Sequence, residues 1–194
     1  MNPSYARIKQ NKDEFVPRFL EWIKLKKISH LPDIETSESI DLSIDDDENW
    51  IGVSVLIFEN GAWTLIQDLT GFLATKSPED WRILSKGADL IFAGYNDSVP
   101  YGQFLEIKNG EICRDFLQDL QDPSENRDTG KSKLKNIRIE SWIDVAGFVD
   151  EDEIAVEPDV ADLYIFENQE QRSLLEPRPD MHFHPAEASR CRKS

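Results

Sequence analysis

Cysteine is nearly absent from this sequence, since only Cys113 and Cys191 occur among 194 residues. Two cysteines cannot build the disulfide framework of a small secreted domain, and they favour a reducing environment. Long apolar runs are missing too. The most apolar stretch, residues 50–58, has the length of a strand rather than the roughly 20 residues of a membrane-spanning helix. Because the N-terminus also has no apolar signal-peptide centre, we expect a cytoplasmic protein with no membrane partner.

Positive charge is scarce as well. The chain has 22 Lys and Arg residues against 38 Asp and Glu, a net charge of -16 at pH 7. Phosphate backbones and anionic membrane surfaces repel such a chain, so we expect no nucleic-acid partner. Residues 33–48 contain eight acids and no base, and residues 150–162 contain seven acids and no base. Such blocks are either solvated faces or docking surfaces for a basic protein partner.

The sequence also lacks the motifs of common catalytic and cofactor sites. It has no Gly-x-Ser-x-Gly elbow, no P-loop and no GxGxxG fingerprint. His182, His184 and Cys191 lie in a Pro-rich terminal segment without the organised spacing of a four-ligand zinc site. Cys113 falls in a predicted strand, where we expect it to be core. We therefore predict no catalytic residue, no metal and no cofactor.

Several local patterns predict secondary structure. Residues 13–28 carry aromatic and apolar side chains at helical spacing, which predicts an amphipathic helix capped by Asp13. Residues 50–59 predict a central strand. Asn-Gly pairs at 60–61 and 109–110 predict two β-hairpins with type I′ turns. Between the hairpins, residues 77–87 predict a helix, with Ser77 as N-cap, Pro78 at the first position and Asp80 completing a capping box; Trp81, Leu84 and Ile83 are predicted to face inward.

These elements predict an α+β fold, an antiparallel sheet of five or more strands built from the two Asn-Gly hairpins with helices packed on it. We expect one domain over residues 5–175. Its sheet core lies at 50–117, and a strand plus helix lies at 137–149. The segment after residue 159 has enough apolar residues for one more strand or helix, and the pattern leaves both open. Residues 177–194 have the composition of a flexible tail.

Two kinds of candidate site follow. The first is acidic: Asp45, Asp46, Asp47 and Glu48 stand immediately before the predicted central strand, and Asp150, Glu151, Asp152 and Glu153 follow the predicted helix. The second is the predicted loop GYNDSVPYG at residues 94–102, which carries Tyr95, Asn96, Asp97 and Tyr101. These loop groups form either a recognition surface or a self-bonded turn.

The phrases GYNDSVPYG and ESWIDVA, within residues 50–152, resemble a family of small uncharacterised bacterial cytosolic proteins. Some compact, acidic α+β proteins of this kind are immunity proteins of polymorphic or contact-dependent toxin systems. The resemblance implies a non-catalytic protein that neutralises a basic toxin effector by covering its active surface. Two alternatives stay open: a small enzyme with its site around residues 95–101, and an adaptor or structural protein.

Overall fold

The computed structural model describes residues 4–96, 101–131 and 158–168. Within these ranges the chain forms a nine-stranded sheet and two α-helices. The strand order is β2-β9-β3-β4-β1-β5-β6-β7-β8, and every pairing between neighbours is antiparallel, so the α+β class is correct. The strands are β1 (Ser4–Ile8), β2 (Lys27–Glu35), β3 (Val53–Asn60), β4 (Trp63–Asp68), β5 (Leu90–Asn96), β6 (Tyr101–Lys108), β7 (Glu111–Asp119), β8 (Arg127–Gly130) and β9 (Val160–Phe166). The helices are α1 (Lys12–Ile23) and α2 (Pro78–Ser85).

The turns of the β3–β4 and β6–β7 hairpins differ in backbone conformation. In the first, Asn60 pairs with Trp63, so that Gly61 and Ala62 form the turn, and only Gly61 has a positive φ, of 60°. The predicted centre at residues 60–61 is therefore displaced by one residue. In the second, Lys108 pairs with Glu111, and the intervening residues 109 and 110 have φ values of 50° and 78°. A two-residue turn with positive φ at both positions has the twist of type I′.

Helix α1 is shorter than predicted. Its N-cap is Asn11, whose side chain accepts from Glu14 N at 2.9 Å, rather than Asp13. The helix ends at Ile23 because Lys24 adopts a left-handed conformation with φ 57°. From Lys27 the chain is strand β2, so the prediction of helix to residue 28 was wrong. Pairing with the distant strand β9 decides this segment, and local helical spacing contains no information about that pairing.

Helix α2 follows its sequence signals closely. Ser77 and Asp80 form the capping box, and Pro78 occupies the first turn. Trp81 and Leu84 are buried, whereas Ile83 is 59% exposed, contrary to the prediction. Ile83 lies about 200° around the helix from Trp81, so the two cannot share a face.

The main core lies between the helices and one face of the sheet, here called the helix face. Its largest fully buried side chains are Trp81, Phe15, Phe19, Phe92 and Phe166. The predicted sheet core at 50–117 is incomplete. Strand β1 lies between β4 and β5, and β9 lies between β2 and β3. The predicted strand plus helix at 137–149 and the tail at 177–194 lie outside the described residues.

Candidate functional site

The first acidic block lies in residues 36–52, here called the crossover segment, which connects β2 to β3. Residues 45–48, the acidic loop, are closed at their base by a bridge between Ile44 and Trp50. Asp45 Oδ1 accepts from Asp47 N at 3.0 Å and from Asn49 N at 2.9 Å, and Asp45 N donates to Asn49 O at 2.9 Å. Asp45 therefore braces the loop through three hydrogen bonds to its backbone.

The other acids of the loop face solvent. Asp46, Asp47 and Glu48 are exposed, and none of them forms an ion pair within the described part of the chain. Glu48 has φ 62°, a left-handed conformation that closes the turn. Three neighbouring carboxylates that form no ion pair with the described residues produce a local negative potential, which attracts a cationic partner.

Exposed aliphatic side chains flank this loop. Ile40 is 37% exposed, Leu42 36% and Ile51 43%. Two buried serines anchor the same segment, and Ser43 Oγ donates to Ser39 O at 2.7 Å. Ser39 and Ser43 therefore point inward, while these three aliphatic side chains leave apolar surface in solvent within the same segment as the exposed carboxylates.

The predicted 94–102 loop is mostly strand. Tyr95 and Asn96 end β5, and Tyr101 begins β6. Tyr95 pairs with Gly102 and Asn96 with Tyr101, so the two tyrosines lie on opposite faces of the sheet. The two tyrosines therefore do not share one face of the sheet, and their role in binding a partner stays a prediction. Asp97 lies outside the described residues.

The two tyrosines also differ in their surroundings. Tyr95 packs against the apolar cluster of Ile91, Ala93, Phe104 and Phe116, on the face opposite the helix face. The Tyr101 hydroxyl lies 3.4 Å from Gln103 Oε1, and burial raises its pKa above the ordinary value of 10.0.

The acidic loop and Tyr95 do share one end of the sheet. Strand β3 begins at this end. Near its start Val55 pairs with Asp68 of β4, Asp68 pairs with Ser4 of β1, and Ser4 pairs with Gly94 of β5, next to Tyr95. Three strand spacings separate β3 from β5, which is about 14 Å. The first acidic block and Tyr95 therefore lie toward the same end of the sheet, on segments attached to different strands. Asp150, Glu151, Asp152 and Glu153 lie outside the described residues.

A buried acid that the sequence reasoning missed organises this end of the sheet. Asp68 is fully buried. Its Oδ1 accepts from Thr70 N, Thr70 Oγ1 and Gly71 N at 3.0, 2.9 and 3.0 Å, and its Oδ2 accepts from Ser4 Oγ at 3.1 Å and Leu73 N at 2.6 Å. Burial raises the pKa of this carboxyl, and the hydrogen bonds oppose that shift. The run Asp-Leu-Thr-Gly at residues 68–71, with Thr and Gly two and three positions after the Asp, is a turn signal that could have revealed it.

A second missed cluster joins α1 to β9 and to the edge strand β2. Asp162 Oδ2 lies 3.3 Å from Lys12 Nζ and 3.6 Å from His30 Nε2. The His30 ring stacks on Tyr164 with centroids 4.3 Å apart. Burial, with a smaller effect of Asp162, raises the pKa of Tyr164 to about 12. A phenol with that pKa stays neutral at physiological pH. The contacts of Asp162 with Lys12 and His30 link helix α1 to the edge strand β2.

Cys113 is a free thiol that is half-buried, with Sγ 3.6 Å from Glu111 O, and so it is not the core residue that was predicted. Within the described ranges, no group of three or more His, Cys, Asp and Glu side chains could hold a metal ion. Neither α1 nor α2 is long and apolar enough to cross a membrane. The chain matches no known protein family, no curated protein and no solved structure.

Proposed function

We propose that this chain is a non-catalytic, cytoplasmic binding protein of the immunity-protein kind. It binds a basic protein partner, a toxin effector, and neutralises it by covering its active surface. The observation that carries the proposal is the crossover segment, which holds exposed carboxylates and exposed aliphatic side chains on a backbone braced by the hydrogen bonds of Ser43 and Asp45.

The acidic loop supplies attraction at long range. Asp46, Asp47 and Glu48 add to a chain charge of -16, and such a field raises the association rate with a cationic partner. Because Asp45 already holds the loop by backbone hydrogen bonds, little conformational entropy is lost when the partner's Arg or Lys side chains bind.

The aliphatic side chains supply the buried centre of the contact. Ile40, Leu42 and Ile51 lose solvent exposure when the partner docks, while the carboxylates form a polar rim. Tyr95, on the same end of the sheet, extends the surface for a partner larger than the crossover segment. The aliphatic side chains at the centre therefore determine which partner binds, and the acidic side chains determine how fast it associates.

The test starts with capture of a basic protein from the source cell on the immobilised chain. The captured protein is then purified, and its own activity is measured with and without the chain. We expect its activity to fall in proportion to the chain added, to complete loss at equal concentrations. A partner that keeps full activity in the complex would favour an adaptor and contradict neutralisation.

A matched pair of variants tests the site. Asp46→Asn with Asp47→Asn removes two exposed charges from the acidic loop, and Glu111→Gln with Glu125→Gln removes two exposed charges elsewhere. At low salt we expect the loop variant to bind about tenfold more weakly and the control to bind within about twofold of the native chain. Equal binding by the two variants would remove the acidic loop from the interface.

A further inference from the structure

An open cleft lies where strand β7 runs past the start of the shorter strand β8. Leu117 of β7 pairs with Arg127, the first residue of β8, and β7 continues beyond that pair to Asp119. The chain then returns to β8 through a short 3₁₀ turn at Pro123–Glu125. The cleft has a volume of about 330 Å³ and is lined by residues 116–118 and 126–128. It is here called the β7 cleft.

Hydrogen bonds hold the backbone around the β7 cleft. Asp119 N donates to Asn126 Oδ1 at 2.5 Å, which joins the end of β7 to the residue before β8. Asp119 Oδ1 accepts from Gln121 N at 2.8 Å and from Asp122 N at 3.0 Å, and Asp122 Oδ1 accepts from Ser124 N at 3.1 Å. Because these turns are already formed, a ligand that binds here has little backbone to order.

The β7 cleft offers apolar and aromatic contact. Leu120, directly after β7, is 61% exposed, and Phe116 and Leu117 are part of the cleft wall. Tyr101 pairs with Asp119 and is half-buried. Because Gln103 pairs with Leu117, Tyr101 lies on the same face of the sheet as Leu117. An aliphatic side chain of a partner can therefore lose solvent contact against this strand end.

The arginines near the β7 cleft are neutralised within the chain. Residues 114–128 contain two bases and five acids. Arg114 donates to Asp128 through Nε and Nη2, both at 2.9 Å, and Arg127 Nε donates to Asp115 Oδ2 at 2.6 Å. Each base of this segment is thus compensated by an aspartate of the neighbouring strand, which leaves three acids in excess.

The acids in excess include Asp119 and Asp122. Neither forms an ion pair within the described part of the chain. Burial raises the pKa of Tyr101, and of the charges near its hydroxyl Arg127 lowers that pKa while Asp119 and Asp115 raise it. The charge balance around the cleft is therefore negative, and it attracts a cationic ligand.

We propose that the β7 cleft is a docking site for a basic segment of a protein partner. An aliphatic side chain of that segment packs on Leu120 and the cleft wall, while its Lys or Arg side chains bind Asp119 and Asp122. Charge complementarity selects the occupant, because an acidic segment would meet the uncompensated carboxylates. Strand β7 lies five strand spacings from β3, about 24 Å, so this site is separate from the acidic loop.

The probe is a synthetic Lys-Leu-Lys-Lys-Leu-Lys peptide, titrated into the ¹⁵N-labelled full chain and followed by amide chemical shifts. Binding curves for individual amides separate the β7 cleft from other acidic surfaces. We expect saturable shifts at residues 116–128. Replacing the two Leu residues of the peptide by Ser should weaken binding at these amides about fivefold, since the aliphatic contact is lost. Shifts absent from these residues, or equal affinity for the two peptides, would overturn the proposal.

Variants separate the β7 cleft from bulk charge. Leu120→Ser should weaken the peptide at these amides about fivefold, and so should Asp119→Asn with Asp122→Asn, which keeps the acceptor oxygen of each turn. The control, Asp46→Asn with Asp47→Asn, removes equal charge from the acidic loop and should change this affinity less than twofold, so the result does not depend on the proposed function. Equal affinity for all variants would refute the site. Self-association abolished by Leu120→Ser would make a second copy the occupant and also refute the proposal.

Discussion

Replacing Asp68 by Ala should be among the most damaging single changes in the molecule. The carboxylate accepts five hydrogen bonds, three of them from backbone N–H groups at Thr70, Gly71 and Leu73. Each buried donor left without an acceptor costs about 1–3 kcal/mol. Relief of the carboxylate's own desolvation and entry of water offset part of that cost. We expect the free energy of unfolding to fall by about 4 kcal/mol.

The assay is equilibrium urea unfolding, followed by tryptophan fluorescence and by far-UV circular dichroism. Asp68→Asn keeps one acceptor but turns an amide N–H toward existing donors, so we expect a smaller loss of about 2 kcal/mol. Asp46→Ala, an exposed acid, is the control and should stay within about 0.5 kcal/mol of the native chain. A loss below about 1 kcal/mol for Asp68→Ala would refute the assignment of Asp68 as the organiser of this turn.

The same residue gives a pH dependence with a definite sign. Because burial raises the pKa of Asp68, the folded state holds this proton more tightly than the unfolded state does. The resulting stabilisation is complete below the ordinary value of 3.8 and is lost as pH rises through the raised folded pKa. Asp68→Asn lacks this proton. The stability advantage of the native chain over Asp68→Asn should therefore narrow as the pH rises above 3.8, and a gap that widens with pH would contradict the raised pKa.

Three further changes test other parts of the fold. Gly130→Ala should lower the free energy of unfolding by more than about 2 kcal/mol and speed amide exchange in β8. Gly130 has φ +88°, and a Cβ there would lie 2.0 Å from Cys113 O. Unchanged exchange would argue against that close approach. Ser77→Ala removes the N-cap that bonds Asp80 N and should cost about 1 kcal/mol in urea unfolding, and no loss would mean that the cap is not used. Trp81→Ala should lower the free energy of unfolding by roughly 3–5 kcal/mol, measured by urea unfolding. Trp81→Phe should lower it clearly less, because the ring is largely kept and a buried Nε1 without a hydrogen bond is removed. Equal losses for the two variants would contradict this reasoning.

The sequence correctly predicted the parts of the fold that depend on interactions between residues close together in the chain. The capping box of Ser77 and Asp80 involves residues three apart, so its chemistry is visible in the sequence. Strand β1 is different. Its five residues include only two fully buried aliphatic or Ala side chains, Ala6 and Ile8, and its central position depends on pairing with β4 and β5. No local pattern encodes such long-range pairings.

The prediction of a loop over residues 94–102 was wrong because glycine occurs both in turns and at close contacts within a sheet. Gly94 and Gly102 were read as loop punctuation, yet both lie in strands. A Cβ at Gly94 would meet Phe92 at 3.3 Å and Ser4 at 3.5 Å, so this glycine permits close packing within the sheet. The sequence also did not predict that Ile40, Leu42 and Ile51 are exposed, because aliphatic residues are normally assigned to the core.

The most direct test of the central claim, that exposed acids of the crossover segment rather than reactive groups do the work, is the association rate constant with the captured basic partner. Stopped-flow mixing at about 0.02 M and about 0.5 M NaCl spans strong and weak screening. We expect the rate constant to fall more than tenfold with salt in the native chain and to lose most of that dependence in Asp46→Asn with Asp47→Asn. A rate constant that is insensitive both to salt and to this double substitution would contradict the account.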